Sequence, residues 1–260
     1  DPNLQNIPIR TDLGREVRRG FIVEKGHVMI AADYSQVELR IAAHIASDPG
    51  LRAAFAAGED IHRATAAKVI GIPLDQVTGD QRSFAKRVNF GLLYGMGTQS
   101  LAQQAGISMK EAQKFVDAYF SGFPNIRKYI DDTKRKANEI GYVETLLGRR
   151  RYFPILKTET RDARTNIMQR SAEREAINHP IQGTAADIIK IAMINIHAAL
   201  KKKKMETRLI LQVHDELILE APKDEADEAA KLVKKLMETA YDLDPALKVE
   251  VGLGQNWDEV

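Results

Sequence analysis

Residues 208–221 read RLILQVHDELILEA, two apolar runs, LILQV and LILE, flanking His214-Asp215-Glu216. Apolar runs of this length around a polar tip predict a β-hairpin. The tip itself is unusual. Hairpin turns favour Asn-Gly or Asp-Gly, which reach positive φ cheaply, and three adjacent titratable side chains do not meet that need. A second run, HVMIAADY at 27–34, predicts a buried strand with Asp33 at its carboxyl end, and Leu247–Leu253 alternates as a final strand. Strands near both ends around a mostly helical middle predict an α+β sheet domain with a helical insertion.

The middle carries helix signals. Ser35 and Glu38 fit a capping box, S-x-x-E, opening a helix that runs to about Ser47. Residues 50–105 read as helical with breaks at Gly58, Gly71–Pro73 and Gly95–Gly97, and 108–120 and 126–140 as two helices around SGFPN. Gly141–Phe153 (GYVETLLGRRRYF) predicts a short hairpin holding three arginines. Helices are expected at 162–175 and 183–203, with Pro180 and Gly183 bracketing a loop between them, and at 223–241. The opening DPNLQNIPIRT, rich in Pro and Asn, reads as an ordered loop or extended segment, and Lys201–Lys204 as an exposed turn.

RSFAKRVNFGLLYG, residues 82–95, places Arg82, Lys86, Phe90 and Tyr94 four apart. Residues i and i+4 share a helix face, and each step drifts by about 40°, so the four form one gently winding stripe. It reads cation, cation, aromatic, aromatic. Two cations one turn apart suit a polyphosphate, and two rings beyond them suit a sugar and base. The competing interpretation is a solvated basic edge running into a pair of core aromatics.

Composition narrows the class. With 44% hydrophobic and 28% charged residues the chain is ordinary globular material, and 260 residues can bury a large core. The absence of cysteine excludes disulfides, thiol nucleophiles and Cys-based zinc sites. No run approaches 18 consecutive apolar residues and no signal peptide opens the chain, so a soluble intracellular protein is expected. A first residue of Asp1 rather than Met points to a fragment or processed product. The net charge of +2 decides nothing about nucleic acid, but between Arg149 and Arg174 eight basic residues face three acids, a local excess that could meet a phosphate backbone or form a solvated helix face.

Asp33 and Asp215 each sit where an apolar strand meets a turn, and aspartate is depleted within strands. Carboxylates aimed from neighbouring strands could share divalent cations, since Mg²⁺ binds through one or two carboxylates plus substrate phosphates. Either residue could equally be capping a turn. Glu38 has a plain role as the acid of its capping box, His62 as a helix-start histidine, and Asn178 and Gln182 as polar loop bonders.

Beyond these local readings, DYSQVELR (33–40), RSFAKRVNFGLLYG (82–95) and VHDE (213–216) resemble the three polymerase motifs of family A DNA polymerases, the bacterial DNA polymerase I type. DPNLQNIP (1–8), YVETLLGRRR (142–151), IQGTAAD (181–187) and Gly-x-Gly-x-x-Trp at 252–257 match too, in order along the whole chain. The resemblance implies the right-hand polymerase fold, an α+β architecture with an antiparallel palm sheet and a large helical fingers insertion. The palm would take residues 1–40 and 175–260 and the fingers 41–174. Thumb and exonuclease domains, the first palm strands and a minor-groove-reading arginine would lie outside this chain.

The resemblance also implies roles. Asp33 and Asp215 would hold two Mg²⁺ ions, for which Mn²⁺ can substitute, with the Tyr34 carbonyl a further ligand and Glu216 near the primer end. Arg82, Lys86 and His62 would grip the triphosphate, and Lys86 would protonate the leaving pyrophosphate. Phe90 would lie on sugar and base, Tyr94 at the template side, Gln36 at the nucleotide site and Glu38 against the sugar 2′ position. Arg174, Asn178, Gln182, His214, Asn3 and Gln5 would touch primer–template DNA. A cytoplasmic, nucleoid-associated monomer using dNTPs follows, without a membrane role. The rivals are a single-subunit RNA polymerase, which Glu38 with Phe90 disfavours because such enzymes admit the 2′-hydroxyl, a metal-dependent nuclease, which has no use for the 82–94 stripe, and a non-catalytic DNA-binding fragment.

Overall fold

The computed structural model describes residues 3–9, 11–159 and 162–260. Asp1 and Pro2 of the expected opening loop, Arg161 of the basic stretch, and Arg10 and Thr160 lie outside the described residues. In chain order the elements begin with α1 (Asp12–Arg19), β1 (His27–Tyr34), α2 (Val37–Ala46), α3 (Pro49–Ala56), α4 (Ile61–Ile70) and α5 (Gly79–Leu93). Next come α6 (Thr98–Ala105), α7 (Met109–Gly122), α8 (Pro124–Ile140), β2 (Tyr142–Glu144), β3 (Arg150–Tyr152) and α9 (Ala163–Lys203). The chain closes with β4 (Arg208–Val213), β5 (Glu216–Pro222), α10 (Ala226–Glu238) and β6 (Val249–Gly254). Contacts divide it into two compact units, Asp1–Val37 with Ala185–Val260, and Glu38–Thr184. The divisions lie at 37/38 and 184/185, where boundaries at 40/41 and 174/175 were expected.

The first unit is built on an antiparallel sheet ordered β4-β5-β1-β6. β1 is covered on both faces, by α10 and by the cluster around Trp257, which is why HVMIAADY reads as an apolar run instead of an alternation: Ile30 and Ala32 are fully buried and Met29 and Ala31 nearly so. Each large side chain covered in this way contributes about 1.5–3 kcal/mol. Helix α10 packs on this sheet, and the buried Tyr34 hydroxyl donates to the Met237 carbonyl at its end, 2.8 Å away. Beneath the other face Trp257 packs with Met29, Val213 and Ile218. Phe21 meets its ring edge-on at 5.3 Å.

The second unit is helical, with a small β2–β3 hairpin against α8. The expected breaks fall between α3, α4, α5 and α6. Two helix starts carry full capping boxes: Ser108 with Glu111 opens α7, and Thr78 with Gln81 opens α5. In the latter the Gln81 N–H donates to Thr78 Oγ1 at 3.2 Å while the Gln81 amide accepts from the Thr78 N–H at 2.9 Å.

Four expectations need correction. The opening segment, expected as an ordered loop or extended, holds a 3₁₀ turn at Leu4–Asn6, and helix α1, which was not expected, follows it, started by Thr11, whose Oγ1 accepts from the Gly14 N–H. Helix α2 begins at Val37, because Gln36 sits at φ 55 and cannot be helical, so Glu38 is the second helical residue and not the third that the S-x-x-E box requires. The hairpin tip is two residues long, with Glu216 already in β5, and His214 supplies the positive φ (54°) usually left to Asn or Gly.

The largest correction is α9, one helix of 41 residues with Pro180 inside it where a loop was expected. Proline removes one N–H and crowds the carbonyls a turn behind it. Here the Tyr129 hydroxyl donates to the Ile177 carbonyl at 2.7 Å, and Thr184 Oγ1 donates to the Pro180 carbonyl at 2.5 Å. These bonds add donors around the proline, one from α8 and one from the next turn of α9 itself, while burial of Ala176, Ile177 and Ile181 holds the helix through it.

Candidate active site

The sheet unit gathers acids by strand register and one tight turn. Asp33 on β1 pairs with Glu216 on β5, and Asp215 precedes Glu216 at the tip. The Tyr34 N–H donates to the Asp215 carbonyl at 3.4 Å, closing the ladder beyond the turn. On the other flank Asp33 lies opposite Glu250 of β6. Glu250 is an acid that the motifs did not single out, and the alternation of β6 is the signal that could have found it.

Partial burial and the charges of Asp215, Glu216 and Glu250 push the Asp33 carboxyl up to about 7. Solvent still reaches Asp33 and screens part of both effects. Burial also raises Asp215, against a backbone hydrogen bond and His214. Glu216 is raised by burial too, while Arg18 and the Trp257 indole N–H pull it down. That N–H is buried without a well-aligned acceptor, so its help is electrostatic. Arg18, itself buried, lies over the indole at 4.1 Å from the ring centre, and neither it nor Trp257 was foreseen here.

This donor set fits a hard divalent cation. Among the described residues no three or more His or acidic side chains converge as an all-protein metal cage. Crowded carboxylates at two strand ends instead suit an ion that completes its shell with water and substrate phosphates.

In the helical unit the stripe is accessible: Lys86 is exposed, and Arg82, Phe90 and Tyr94 are half-buried, so these aromatics are not core residues. Opposite them Ala85, Val88, Asn89 and Leu92 are buried. Tyr94 sits just past the last helical residue, its N–H still bonded to the Phe90 carbonyl, and the two rings lie 6.2 Å apart.

Three side-chain contacts hold the stripe. Arg82 Nε donates to Asp60 Oδ2 at 2.6 Å. The Tyr94 hydroxyl donates to the Glu38 carboxylate, and burial followed by the Glu38 charge raises the phenol well above its ordinary range. Phe90 approaches the His62 ring at 5.9 Å.

His62 is only 3% exposed, and burial lowers it to about 4, with Lys86 and Arg82 adding to the fall and Asp60 opposing it. Its tautomer follows from its neighbours. Thr65 spends its proton on the Ile61 carbonyl, so Asn89 Nδ2 must donate both to Thr65 Oγ1 (3.0 Å) and to His62 Nδ1 (3.1 Å). The proton of neutral His62 is thus on Nε2.

Arg174, Asn178 and Gln182 sit at i, i+4 and i+8 of α9, so Asn178 and Gln182, expected in a loop, continue the helix that carries Arg174. Arg174 and Gln182 are exposed, and Asn178 Oδ1 is buried without a partner. His214 is exposed at the hairpin tip. Gln36 is half-buried, with its Oε1 unpartnered. Asn3 Oδ1 accepts from the Gln5 N–H at 3.0 Å to cap the 3₁₀ turn, while Gln5 Nε2 reaches the Gln212 carbonyl at 3.4 Å.

The sequence profile of DNA polymerase family A matches residues 1–259. The chain belongs to this family. It is 50% identical over 259 residues to DNA polymerase I of Pseudomonas aeruginosa, covering 100% of this chain and 28% of that protein. Against DNA polymerase I of Deinococcus radiodurans the identity is 52%, covering 99% of this chain and 26% of the relative. Against the thermostable enzyme of Thermus aquaticus it is 48%, covering 99% and 30%. The chain therefore spans under a third of the curated relatives it matches. A solved structure described as the POL domain of Pol1 from M. smegmatis in complex with DNA primer-template and dNTP superposes with a TM-score of 0.94 at 46% identity, covering 99% of this chain and 45% of that one. The α+β fold is accordingly that of a family A polymerase domain, and family A DNA polymerases are metal-dependent.

Proposed function

We propose that this chain is the palm and fingers of a template-directed DNA polymerase, one that adds deoxynucleotides from dNTPs to a primer 3′-hydroxyl and releases pyrophosphate. The observation that carries the reading is the pairing of Asp33 with Glu216, which draws Asp33 and Asp215 together at the ends of two strands. The sheet unit corresponds to the palm and the helical unit to the fingers. Primer–template DNA and dNTPs are the partners, as they are for the M. smegmatis POL domain, and the setting is replication or repair in the cytoplasm at the nucleoid.

Asp33, Asp215 and the Tyr34 carbonyl would hold two Mg²⁺ ions, with Mn²⁺ able to substitute. When bound, these activate the attacking hydroxyl and stabilise the leaving oxygen. The chain's own residues do the rest, because phosphoryl transfer needs alignment and charge stabilisation more than covalent chemistry. Arg82 and Lys86 neutralise the triphosphate, and Lys86 gives a proton to the departing pyrophosphate. His62, neutral and donating from Nε2, adds a hydrogen bond and no charge. Phe90 lies on the sugar and base. Glu38, pinned by the Tyr94 hydroxyl, fills the space a 2′-hydroxyl would need, which disfavours an RNA polymerase. The exposed face of α9 that carries Arg174 and Gln182 contacts the duplex, with Asn178 beside them and His214, Asn3 and Gln5 as further contacts.

The test is primer extension by this chain, alone and joined to the upstream region of a family A relative. Mg²⁺-dependent extension should appear in the joined form and fall by on the order of 10³-fold in Asp33→Asn and in Asp215→Asn, with duplex binding retained. Unchanged turnover in either variant would dismiss the assigned carboxylates.

A further inference from the structure

Asp60 was not among the residues singled out by sequence, yet one carboxylate there organises two of the proposed phosphate contacts. It stands at the N-terminus of α4, where Oδ1 accepts from the His62 N–H at 2.9 Å and the Arg63 N–H at 3.0 Å. Its second oxygen, Oδ2, accepts from Arg82 Nε of α5 at 2.6 Å. Partial burial works against ionisation, but Arg82 and the two backbone N–H groups hold the Asp60 carboxyl below its ordinary range.

The atom that Arg82 uses is informative. A guanidinium that merely neutralised a carboxylate would present its fork, two parallel N–H groups to two oxygens. Here the second oxygen is Oδ1, already committed to the helix start, and Arg82 makes no hydrogen bond through Nη1 or Nη2 among the described residues. The side-on contact anchors the guanidinium at Nε and leaves the fork free at an accessible site. Arginine loses much rotamer freedom when it is fixed, and that cost is met before any anion arrives.

We propose that Asp60 is a positioning residue for the polyphosphate site: by holding Arg82 through Nε while capping the helix that carries His62, it presents the Arg82 fork ready to grip a triphosphate. This rests on the reading of Arg82 as a triphosphate contact. The alternative, in which Asp60 competes with the phosphates for Arg82, predicts the opposite sign.

The experiment is calorimetric titration of this chain with inorganic tripolyphosphate, comparing wild type, Asp60→Asn, Asp60→Ala, Arg82→Ala and Asp60→Asn/Arg82→Ala. Asparagine caps a helix as well as aspartate does, so Asp60→Asn removes the ion pair alone and its Tm should stay near wild type, whereas Asp60→Ala should lower Tm. Asp60→Asn should bind tripolyphosphate about tenfold more weakly, close to the loss in Arg82→Ala, and the double variant should be no weaker than Arg82→Ala within about twofold. Asp60→Ala should match Asp60→Asn in binding despite its lower Tm, which separates positioning from folding. Equal or tighter binding by Asp60→Asn, or fully additive losses in the double variant, would overturn the proposal. An unchanged affinity in Arg82→Ala would instead remove the triphosphate reading of the stripe, and the proposal with it.

Discussion

The two units hold their chemistry in different ways. In the sheet unit the backbone does the placing: Asp33 and Glu250 stand where β-ladder register puts them, and Asp215 sits in the two-residue turn that the β4–β5 register closes. In the helical unit, side chains place side chains. Arg82 leans on Asp60, His62 on Asn89, and Glu38 receives Tyr94. A register is all or nothing, because slipping a strand by one residue turns every side chain to the other face. A side-chain contact can be lost by itself. The carboxylates should therefore respond sharply to small displacements and the stripe in graded steps.

Asp33→Glu breaks or confirms the first half of that contrast. It keeps the charge and moves the carboxylate by one methylene, against a strand that cannot yield. Extension should fall by on the order of 10²-fold, since a misplacement of about 1 Å costs that much. Near-normal kcat would mean that the site tolerates displacement and that register is not what matters.

The second half is sharpened by Glu38→Ala beside Tyr94→Phe, read as the ratio of kcat/KM for dCTP and CTP opposite template guanine. Truncating Glu38 should lower the ratio by roughly 10²-fold, because the excluded volume is lost. Tyr94→Phe leaves the carboxylate present but unpinned and should lower it by only a few-fold, up to ~10. Equal effects would mean that the hydroxyl, and not the bulk of Glu38, does the excluding. A ratio unmoved in both would reduce Glu38 to a helix-start residue.

The smallest effect concerns stability without metal. Asp33 is raised from 3.8 to about 7, so folding favours its protonated form. That contribution is fully present below pH 3.8 and is lost as pH rises through about 7. Asp33→Asn should consequently raise Tm at pH 8 and leave it unchanged near pH 3.5. Because solvent reaches the group, the effect is discounted to about 1 kcal/mol, or roughly 2–4 °C. Mg²⁺ should shrink the difference by stabilising only the protein that binds it. A destabilised Asp33→Asn at pH 8 would show that the carboxylate is paired favourably and not crowded.

Legibility followed the range of the interactions. The stripe from Arg82 to Tyr94 was readable because helical period is a local property, and its exposure was as the spacing implied. Strands β1, β4 and β5 were readable from apolar runs and β6 from its alternation. What misled was local grammar whose exceptions are tertiary. Pro180 ordinarily ends a helix, and nothing nearby in sequence announced that Ala176, Ile177 and Ile181 would be buried around it or that Tyr129, 48 positions away, would donate to the Ile177 carbonyl. Ser35 and Glu38 have capping-box spacing, but Gln36 takes a left-handed conformation between β1 and α2 and shifts the helix start. Helix α1 was missed although Thr11, Asp12 and the last-turn Arg18 and Arg19 agree with a helix dipole, because the run is short and its apolar face slight.

By itself the sequence determined the periodicities, the chemistry available at each position and, through motifs ordered along the chain, the family. Tertiary structure alone decided which distant groups meet: Asp33 with Asp215, Glu216 and Glu250; Asp60 with Arg82 across 22 positions; Tyr94 with Glu38 across 56. The physical reason is that propensity and period act over one or two turns of chain, whereas a carboxylate's charge, an arginine's orientation and a histidine's tautomer depend on whatever the fold brings within a few ångströms.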